Sequence, residues 1–430
     1  MLAHTASGNY VLDLEECRDE PWYFLSFKSE AASAPHIAAP ACNPEACVFS
    51  VNTTSCGLGS SQVTSVLNIN HCRHVMPSAT RDDVSGEELP VVDFSSFDSD
   101  PKNVSAKLLA AAKRWGFLVL TGHGIPRHVV NDMFATSSSF FDQPKDAKAE
   151  KWMNVKQQGY DYKESFIGVV EGMCFGSVAN ANLTCDNIPS WWTADKRQQA
   201  EAFRAACNEV AQRLLGGFAM AMNLECGFFS CAHSPNREPG NVLRLIRYPA
   251  LDKPVDADFP RLGEHTDWGT ITLLFARQPG LEVLSPDDRR WVAAPVIEDG
   301  IIVNVGDGLA LGTGGLLKST KHRVSWESLP RDESRESMAY FVNANADAPL
   351  KCLKQDTATG RLVAASLPFD ATFGDYQNAR MRIYHEKFNS DGTDDELKVD
   401  ARFLEMVRNI GVAHGTGVDF EGTHDASTAS

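Results

Sequence analysis

The chain has 430 residues, which is enough for one large domain or two ordinary ones, and its 43% hydrophobic and 22% charged residues are typical of a globular protein in water. The net charge of −16 argues against a nucleic-acid or membrane-surface partner, because both attract an excess of Lys and Arg. The chain contains no apolar run long enough for a membrane span, and its N-terminus lacks the basic and apolar segments of a secretory signal. We therefore expect a cytoplasmic protein, of undetermined oligomeric state, that acts on a small molecule.

Residues 1–88 show little periodicity and are rich in Ala, Ser, Thr and Asn, which predicts an irregular N-terminal extension. The 11 cysteines of the chain are odd in number and scattered, as is typical of reduced thiols. A zinc site within the extension is an alternative interpretation, although no Cys-x-x-Cys pair is present. Its candidate ligands are Cys17, Cys42, Cys47, Cys56, Cys72, His71 and His74.

The next segment, residues 89–235, is predicted to be mostly helical. It opens with a short apolar run suited to a strand at 89–97, and a second buried strand follows Gly116. Apolar residues at helical spacing then predict the main elements of the segment. These are helices over 104–115, 127–144 and 193–224.

After about residue 240 the pattern changes to short apolar runs separated by Gly, Pro and Asp, which predicts an all-β sandwich or barrel. The glycine-rich run 305–315 lacks the Gly-Lys-Ser/Thr ending of a phosphate loop, so we interpret it as turns between strands. The sequence thus predicts a mixed α/β (α+β) fold with a jelly-roll core at 236–389 and flanking helices. Residues 390–430 are predicted to form a C-terminal helix and a polar tail.

His265 and Asp267, in the stretch GEHTDWGTITLLF, precede an alternating apolar run. Residues i and i+2 of a strand point to the same face, so we expect His265 and Asp267 to lie on one strand and to bind one metal ion together. A third ligand is required, and His322, at the head of another predicted strand of the β core, is the best placed of the remaining histidines. Two histidines and one carboxylate on one face of an octahedron are typical of non-haem Fe(II) oxygenases.

Several motifs occur together and in order: LPVVDFSSF and RWGFLVLTGHGIP upstream, then GEHTDWGTITLLF, GLEVL, IIVNVGDGLALGT, LKSTKHRV, the Arg335–Ser337 tripeptide RES, and TFGDYQNARM. Over about residues 88–389 this pattern resembles the 2-oxoglutarate- and Fe(II)-dependent dioxygenase superfamily, in its isopenicillin N synthase-like branch. The resemblance implies a double-stranded β-helix (jelly-roll) core and oxidation of a small organic molecule, in specialised metabolism, by hydroxylation, desaturation or ring formation.

The resemblance also implies roles for individual residues. His265, Asp267 and His322 would bind Fe(II), and O2 would be the oxidant, with ascorbate as a candidate reductant. Arg335 and Ser337 would hold the distal carboxylate of 2-oxoglutarate, a role that suits the planar fork of arginine and a hydroxyl donor. Tyr248, before a proline, would donate to the same carboxylate.

The sequence departs from the family pattern at two places near this site. The asparagine that often stands two residues before the tyrosine is Ile246 here. From His322 to Arg335 there are 13 positions, where many relatives have nine or ten. The extra residues fall in the polar stretch 326–334, and loops tolerate such insertions.

Substrate contacts are the least specific part of the interpretation. The candidates are Phe166, Trp268, Phe341 and Asn343. Two alternative functions stay open at this point: an Fe(II)-dependent oxidase of the isopenicillin N synthase type that does not use 2-oxoglutarate, and a β-sandwich binding or regulatory protein without catalysis.

Overall fold

The computed structural model of the chain describes residues 2–4, 10–12, 88–154, 156–165, 168–176, 187–225, 227–234, 237, 240–250, 260–287, 289–325, 333–356, 359–365, 370–388 and 399–412. The N-terminal extension is described only at two short antiparallel strands, β1 (Leu2–His4) and β2 (Tyr10–Leu12). The proposed zinc ligands, Phe166 and the polar tail from residue 413 lie outside the described residues.

The remaining elements belong to the unit Gly86–Ser430. The strands are β3 (Val91–Asp93), β4 (Phe117–Thr121), β5 (Gln158–Ser165), β6 (Gly168–Phe175), β7 (Val242–Tyr248), β8 (Leu262–His265), β9 (Ile271–Ala276), β10 (Leu281–Leu284), β11 (Trp291–Ala293), β12 (Ile301–Val305), β13 (His322–Val324), β14 (Arg335–Val342), β15 (Cys352–Gln355) and β16 (Leu362–Ala365). The helices are α1 (Pro101–Arg114), α2 (Arg127–Phe141), α3 (Lys145–Lys148), α4 (Ala194–Ala221), α5 (Asp307–Gly312), α6 (Phe373–Phe388) and α7 (Ala401–Val412), with a 3₁₀ turn at Ser230–His233.

Two sheets form the β core. The large sheet has eight strands in the order β3-β4-β12-β9-β14-β7-β6-β5, and the small sheet has four in the order β11-β10-β13-β8. All pairings within them are antiparallel except β3 with β4. The predicted jelly-roll core with flanking helices is therefore confirmed.

Side-chain alternation gives the large sheet two different faces. On one face Leu245, Leu273 and Met338 are fully buried and belong to the same core as Phe203 and Leu214 of α4. On the other face Phe117 of β4 packs in a cluster with residues of β10, so this face looks toward the small sheet. Because successive residues of a strand point to opposite faces, each strand contributes alternately to the helix-covered core and to the space between the sheets.

Helix α1 begins at Pro101, three residues before the predicted start, and buries the predicted apolar face. Asp100 precedes α1 and its carboxylate accepts a hydrogen bond from the backbone N–H of Asn103, while Pro101 occupies the first turn, where its missing N–H is not needed. Leu108 and Ala112, four residues apart, are fully buried on one face of the helix. This face packs toward α4, which anchors both helices on the sheet.

Two local predictions differ from the structure. Residues 89–235 contribute four strands to the large sheet, of which β3 and β4 were predicted. The β5–β6 hairpin was not predicted, because its glycines and charged residues dilute the apolar alternation. The run after Gly306 was predicted as turns, but residues Asp307–Gly312 form the short helix α5. In the part of the chain that the structure describes, no helix combines the length and apolar character needed to cross a membrane.

Candidate functional site

His265, Asp267 and His322 come together at the edge of the small sheet. His265 ends β8 and His322 begins β13, and the two are directly paired across the antiparallel ladder, with ring centroids 4.2 Å apart. Nε2 of His265 and Nε2 of His322 lie 3.9 and 3.7 Å from Oδ1 of Asp267. One nitrogen or oxygen from each residue falls within a cluster no wider than 4.8 Å, which is the scale of three ligands around one ion.

The sequence reasoning about His265 and Asp267 was wrong in one respect. They do not share a strand, because β8 ends at His265 and Asp267 lies in the connection before β9. Backbone hydrogen bonds fix this connection: Asp307 N–H donates to Asp267 O at 2.7 Å, and Gly306 N–H donates to Thr270 O at 3.0 Å. A Cβ at Gly306 would lie 2.3 Å from the carbonyl oxygen of Gly269, so the close approach of these two segments requires glycine there.

The two imidazoles are oriented by their own backbone. Nδ1 of His265 donates to Gly263 O at 2.9 Å, and Nδ1 of His322 donates to Thr320 O at 3.2 Å. A carbonyl only accepts hydrogen bonds, so each ring carries its proton on Nδ1 and presents the lone pair of Nε2 to Asp267. Such backbone partners commonly fix the tautomer of metal-binding histidines.

Asp267 is held from behind by two buried polar side chains. Its Oδ2 accepts from Thr272 Oγ1 at 2.6 Å and from Asn304 Nδ2 at 2.8 Å, which leaves Oδ1 directed at the histidines. Burial raises the pKa of Asp267, but His322, His265 and these two hydrogen bonds outweigh it, so the pKa is lowered overall. Burial, with the neighbouring His265, lowers the pKa of His322 to about 4. At neutral pH the cluster therefore offers a carboxylate and a neutral imidazole.

This donor set fits a divalent transition metal. Neutral imidazoles and a carboxylate are ligands for such ions, and three protein ligands on one side leave positions open, as in non-haem Fe(II) oxygenases. His322 is 7% exposed, whereas the side chain of His265 is 37% exposed, so the cluster opens to solvent on the His265 side. The site is therefore both preorganised and accessible.

Arg335 and Ser337 lie together on β14, as their spacing predicted. Nη1 of Arg335 donates to Ser337 Oγ at 3.3 Å, and its Nε donates to Pro279 O at 2.9 Å. Tyr248 is paired with Arg335 across β7 and β14, and the guanidinium lies over its ring at 5.6 Å. All three are at most 3% exposed.

The charge of Arg335 has no carboxylate partner within ion-pair distance among the described residues. Burial lowers its pKa, with an opposing effect of Tyr248. A buried, uncompensated guanidinium is costly unless an anion binds it. The donors of Arg335 and Ser337 therefore fit a carboxylate. Ile246 is paired with Ser337 across β7 and β14.

The predicted substrate residues occupy different environments. Phe341 is half-buried on β14, on the same face as Arg335 and Ser337. Trp268 is half-buried beside the guanidinium of Arg380, which lies 5.4 Å from the centre of its ring. Asn343 is 7% exposed and its amide donates to Gly240 O at 2.6 Å, so it is engaged within the fold.

The sequence did not reveal the residues that support the metal cluster, which is the group of candidate ligands His265, Asp267 and His322. Thr272 and Asn304 are polar residues in the apolar runs TITLLF and IIVNV, and that contrast was the available signal. Asp307 and Arg380 form a buried ion pair next to the His265–Asp267 connection, at 2.6 Å between Arg380 Nη2 and Asp307 Oδ2. They lie 73 residues apart, and nothing in their local sequence predicts the contact.

Two family models match the chain. Residues 89–174 match the model described as the non-haem dioxygenase in morphine synthesis N-terminal domain, and residues 239–344 match the 2OG-Fe(II) oxygenase superfamily. The second match contains His265, Asp267, His322, Arg335 and Ser337.

Several similar curated proteins are named as 2-oxoglutarate-dependent dioxygenases. The chain is 30% identical to the 2-oxoglutarate-dependent dioxygenase citB of Monascus ruber over 65% of its own length and 90% of the relative. It is 28% identical to the 2-oxoglutarate-dependent dioxygenase tropC of Talaromyces stipitatus, over 69% and 96% of the two chains. These relatives support the 2-oxoglutarate-dependent class rather than the oxidase alternative.

Solved structures agree with this result. A full-length protein of Neurospora crassa, solved in complex with alpha-KG, is 27% identical, with a TM-score of 0.56 over 66% of this chain and 94% of that one. The dioxygenase for auxin oxidation of rice, at 23% identity, shares the fold with a TM-score of 0.55 over 69% and 96% of the two chains.

Proposed function

Because the chain belongs to the superfamily of 2-oxoglutarate- and Fe(II)-dependent oxygenases, we infer that His265, Asp267 and His322 hold the iron of this enzyme. Enzymes of this class use Fe(II), 2-oxoglutarate and O2 to oxidise a substrate. The observation that carries the assignment is the convergence of one ligand atom from each of the three residues within 4.8 Å, with Nδ1 of both histidines bound to backbone carbonyls.

Bound iron supplies the activation of O2 that drives substrate oxidation, and the chain supplies position and protection. Thr272 and Asn304 keep Oδ2 of Asp267 occupied, so that only Oδ1 is available to the metal. Phe117 packs edge-on against His322 at 5.2 Å and shields the buried side of the cluster from water.

Arg335 and Ser337 are proposed to anchor the distal carboxylate of 2-oxoglutarate. The guanidinium is held by Pro279 O and Ser337 Oγ, which fixes the plane of its fork before the ligand arrives. Tyr248, stacked beside Arg335, is proposed to complete this pocket. A preformed, buried cation without a carboxylate partner among the described residues favours an anionic co-substrate over a neutral one.

The substrate is proposed to be a small organic molecule of specialised metabolism, oxidised by hydroxylation, desaturation or ring closure. Two features support a small substrate: the site lies between two sheets, and the full-length Neurospora crassa protein was also solved, at 26% identity, with alpha-KG and 5-formyluracil. Phe341 and Trp268 are proposed to contact it. The net charge of −16 supports the absence of nucleic acid among the substrates. A cytoplasmic location is proposed because the scattered cysteines are typical of reduced thiols.

The domain arrangement is part of the same proposal. We assign residues 89–235 to the N-terminal region and 236–389 to the catalytic core, in line with the two matched segments 89–174 and 239–344. The irregular extension 1–88 and the C-terminal segment 390–430 would lie outside the catalytic machinery.

The direct test is anaerobic addition of Fe(II) and 2-oxoglutarate to the purified full chain, followed by absorbance spectroscopy. We expect a visible charge-transfer band that requires both components, and slow succinate formation after O2 is admitted. His265→Ala is expected to lose the band and to bind Mn(II) at least about tenfold more weakly.

His128→Gln is a matched control, because His128 is exposed and lies on α2, away from the cluster. Its spectrum and metal affinity should equal those of the wild type. Unchanged Mn(II) binding in His265→Ala would refute the ligand assignment, and oxidation without succinate would refute the use of 2-oxoglutarate.

A further inference from the structure

An ion pair between Arg244 and Asp161 lies in the large sheet, apart from the residues assigned above. Nη2 of Arg244 donates to Oδ2 of Asp161 at 2.5 Å. The two residues belong to β7 and β5, which are not neighbours, so the pair spans β6 and passes over Gly172.

The register of the sheet places Arg244 on the face of the metal cluster. Thr272, which binds Asp267, is paired with Phe341 of β14, and Phe341 is paired with Val242 of β7. Arg244 stands two residues after Val242, so both side chains point to the same face. The intervening Leu243 is fully buried in the helix-covered core, which confirms that Arg244 points the other way.

Small residues on both neighbouring strands flank Arg244. Its partner on β14 is the small Ala339, and the adjacent strand β6 carries Gly172 next to its side chain. A Cβ at Gly172 would lie 3.1 Å from Nε and 3.2 Å from Nη2 of Arg244, so the glycine lets the guanidinium lie close to the strand. The side chains of Arg244 and Asp161 are 27% and 12% exposed, so part of the pair stays accessible.

Arg244 differs from Arg335 in having a carboxylate partner. Arg335 has no carboxylate partner in the described chain and suits an anion, whereas Asp161 compensates the charge of Arg244. An anion next to Arg244 would be repelled by Asp161. An uncharged carbonyl oxygen would accept an N–H of Arg244 without that repulsion.

We propose that the Arg244–Asp161 pair is a substrate subsite, which binds a carbonyl or amide group of an uncharged molecule. The proposal rests on the proposed function, because it names the substrate class of that same site. Arg244 would act in specificity and orientation, and not in the oxidation itself.

The test uses the full chain loaded with Mn(II) and 2-oxoglutarate, and two probes at equal concentration: benzamide, which is uncharged, and benzenesulfonate, which is an anion and a weak metal ligand. Paramagnetic relaxation of the probe ring protons by Mn(II) reports binding near the metal. We expect benzamide to be relaxed more than benzenesulfonate by the wild type. Arg244→Gln should reduce the benzamide effect about tenfold, and Asp161→Asn should shift the preference toward benzenesulfonate.

Arg213→Gln is the matched control, because Arg213 also pairs with an aspartate, Asp98, and its side chain is also 27% exposed, but it lies on α4. It should leave the ratio of the two probes unchanged. Failure of wild-type protein to bind Mn(II) and 2-oxoglutarate would overturn the proposed function. Normal binding of both, with no relaxation of either probe or with a ratio that Asp161→Asn does not alter, would overturn only the subsite.

Discussion

Arg380 of α6 and Asp307 of α5 form a buried ion pair, 2.6 Å between Nη2 and Oδ2, immediately behind the connection that carries Asp267. The same Asp307 oxygen accepts from Thr266 Oγ1 at 3.0 Å, and the backbone N–H of Asp307 donates to Asp267 O. The guanidinium of Arg380 also lies over the ring of Trp268. The pair thus contacts the three consecutive residues that follow His265, and it fixes a segment that no strand pairing holds.

Arg380→Gln is therefore expected to weaken metal binding. Loss of a residue that positions metal ligands typically costs about 10- to 100-fold in affinity, and leaving Asp307 buried without its partner should cost roughly 3 kcal/mol of stability. Mn(II) titration followed by electron paramagnetic resonance, on protein shown to be folded by circular dichroism, measures the first effect. Arg402→Gln, a change at an exposed arginine of α7, should alter neither quantity, and unchanged Mn(II) affinity in Arg380→Gln would contradict the role.

Thr272→Val tests whether the hydrogen bond from Thr272 orients the carboxylate of Asp267. The valine keeps the shape of the side chain but removes the hydroxyl that donates to Oδ2 at 2.6 Å. We expect about a tenfold loss of metal affinity and a decrease in stability of about 1–3 kcal/mol, because a buried carboxylate loses a donor. Chemical denaturation and metal titration give the two values. Thr359→Val, in an exposed turn, provides the comparison, and equal metal affinities of the two variants would remove the support assigned to Thr272.

Arg335→Met distinguishes the effect of the buried Arg335 charge on stability from its proposed role in binding 2-oxoglutarate. Without ligand, the variant should be as stable as the wild type or more stable, because an uncompensated guanidinium leaves the interior. Its affinity for 2-oxoglutarate should fall by a factor of about 30 or more, as for loss of one partner of a buried charge pair. Calorimetric titration of the Mn(II)-loaded protein measures the affinity. A variant that binds 2-oxoglutarate normally would show that the carboxylate is held elsewhere.

His233 makes the stability of the metal-free protein depend on pH. Its Nδ1 donates to Phe229 O at 2.7 Å, and burial lowers its pKa to about 4 from an ordinary value of 6.5. Between these two values the unfolded chain binds the extra proton, so stability falls as the pH falls through this window. The contribution is about 2 kcal/mol between pH 6.5 and pH 5, at about 1.4 kcal/mol for each pKa unit.

Urea denaturation in the presence of EDTA at pH 7 and pH 5 checks this value. His233→Gln should lose less stability than the wild type over the same interval, whereas the exposed His128→Gln should behave like the wild type. Identical losses in all three proteins would show that His233 does not carry the effect.

The main strands and the three residues of the metal cluster could be predicted from the sequence, for different reasons. Buried strands such as IIVNV and SMAYFVN are apolar runs with clear turn signals, so their positions could be predicted directly. His265, Asp267 and His322 were identified from motif order and spacing. The expected shared strand of His265 and Asp267 was wrong, because backbone bonds from Gly306 and Asp307, rather than a strand, fix that segment.

Contacts between distant segments could not be predicted from the sequence. Arg244 stands 83 residues after Asp161, and their contact depends on the β5–β6 hairpin, whose mixed composition hid it. Arg380 likewise meets Asp307 only after the C-terminal helices have packed. Such pairs follow from the topology of the whole domain, and no local pattern encodes them.

The alternation along β14 limits how this protein can change over evolutionary time. Arg335 and Ser337 face the site, while Met338 and Tyr340 fill the helix-covered core. Inserting or deleting one residue within the strand would exchange these two sets, so the proposed carboxylate site and the core would be lost together. Length variation is therefore expected before Arg335 rather than within β14. The polar stretch 326–334, between His322 and Arg335, is where we expect such variation.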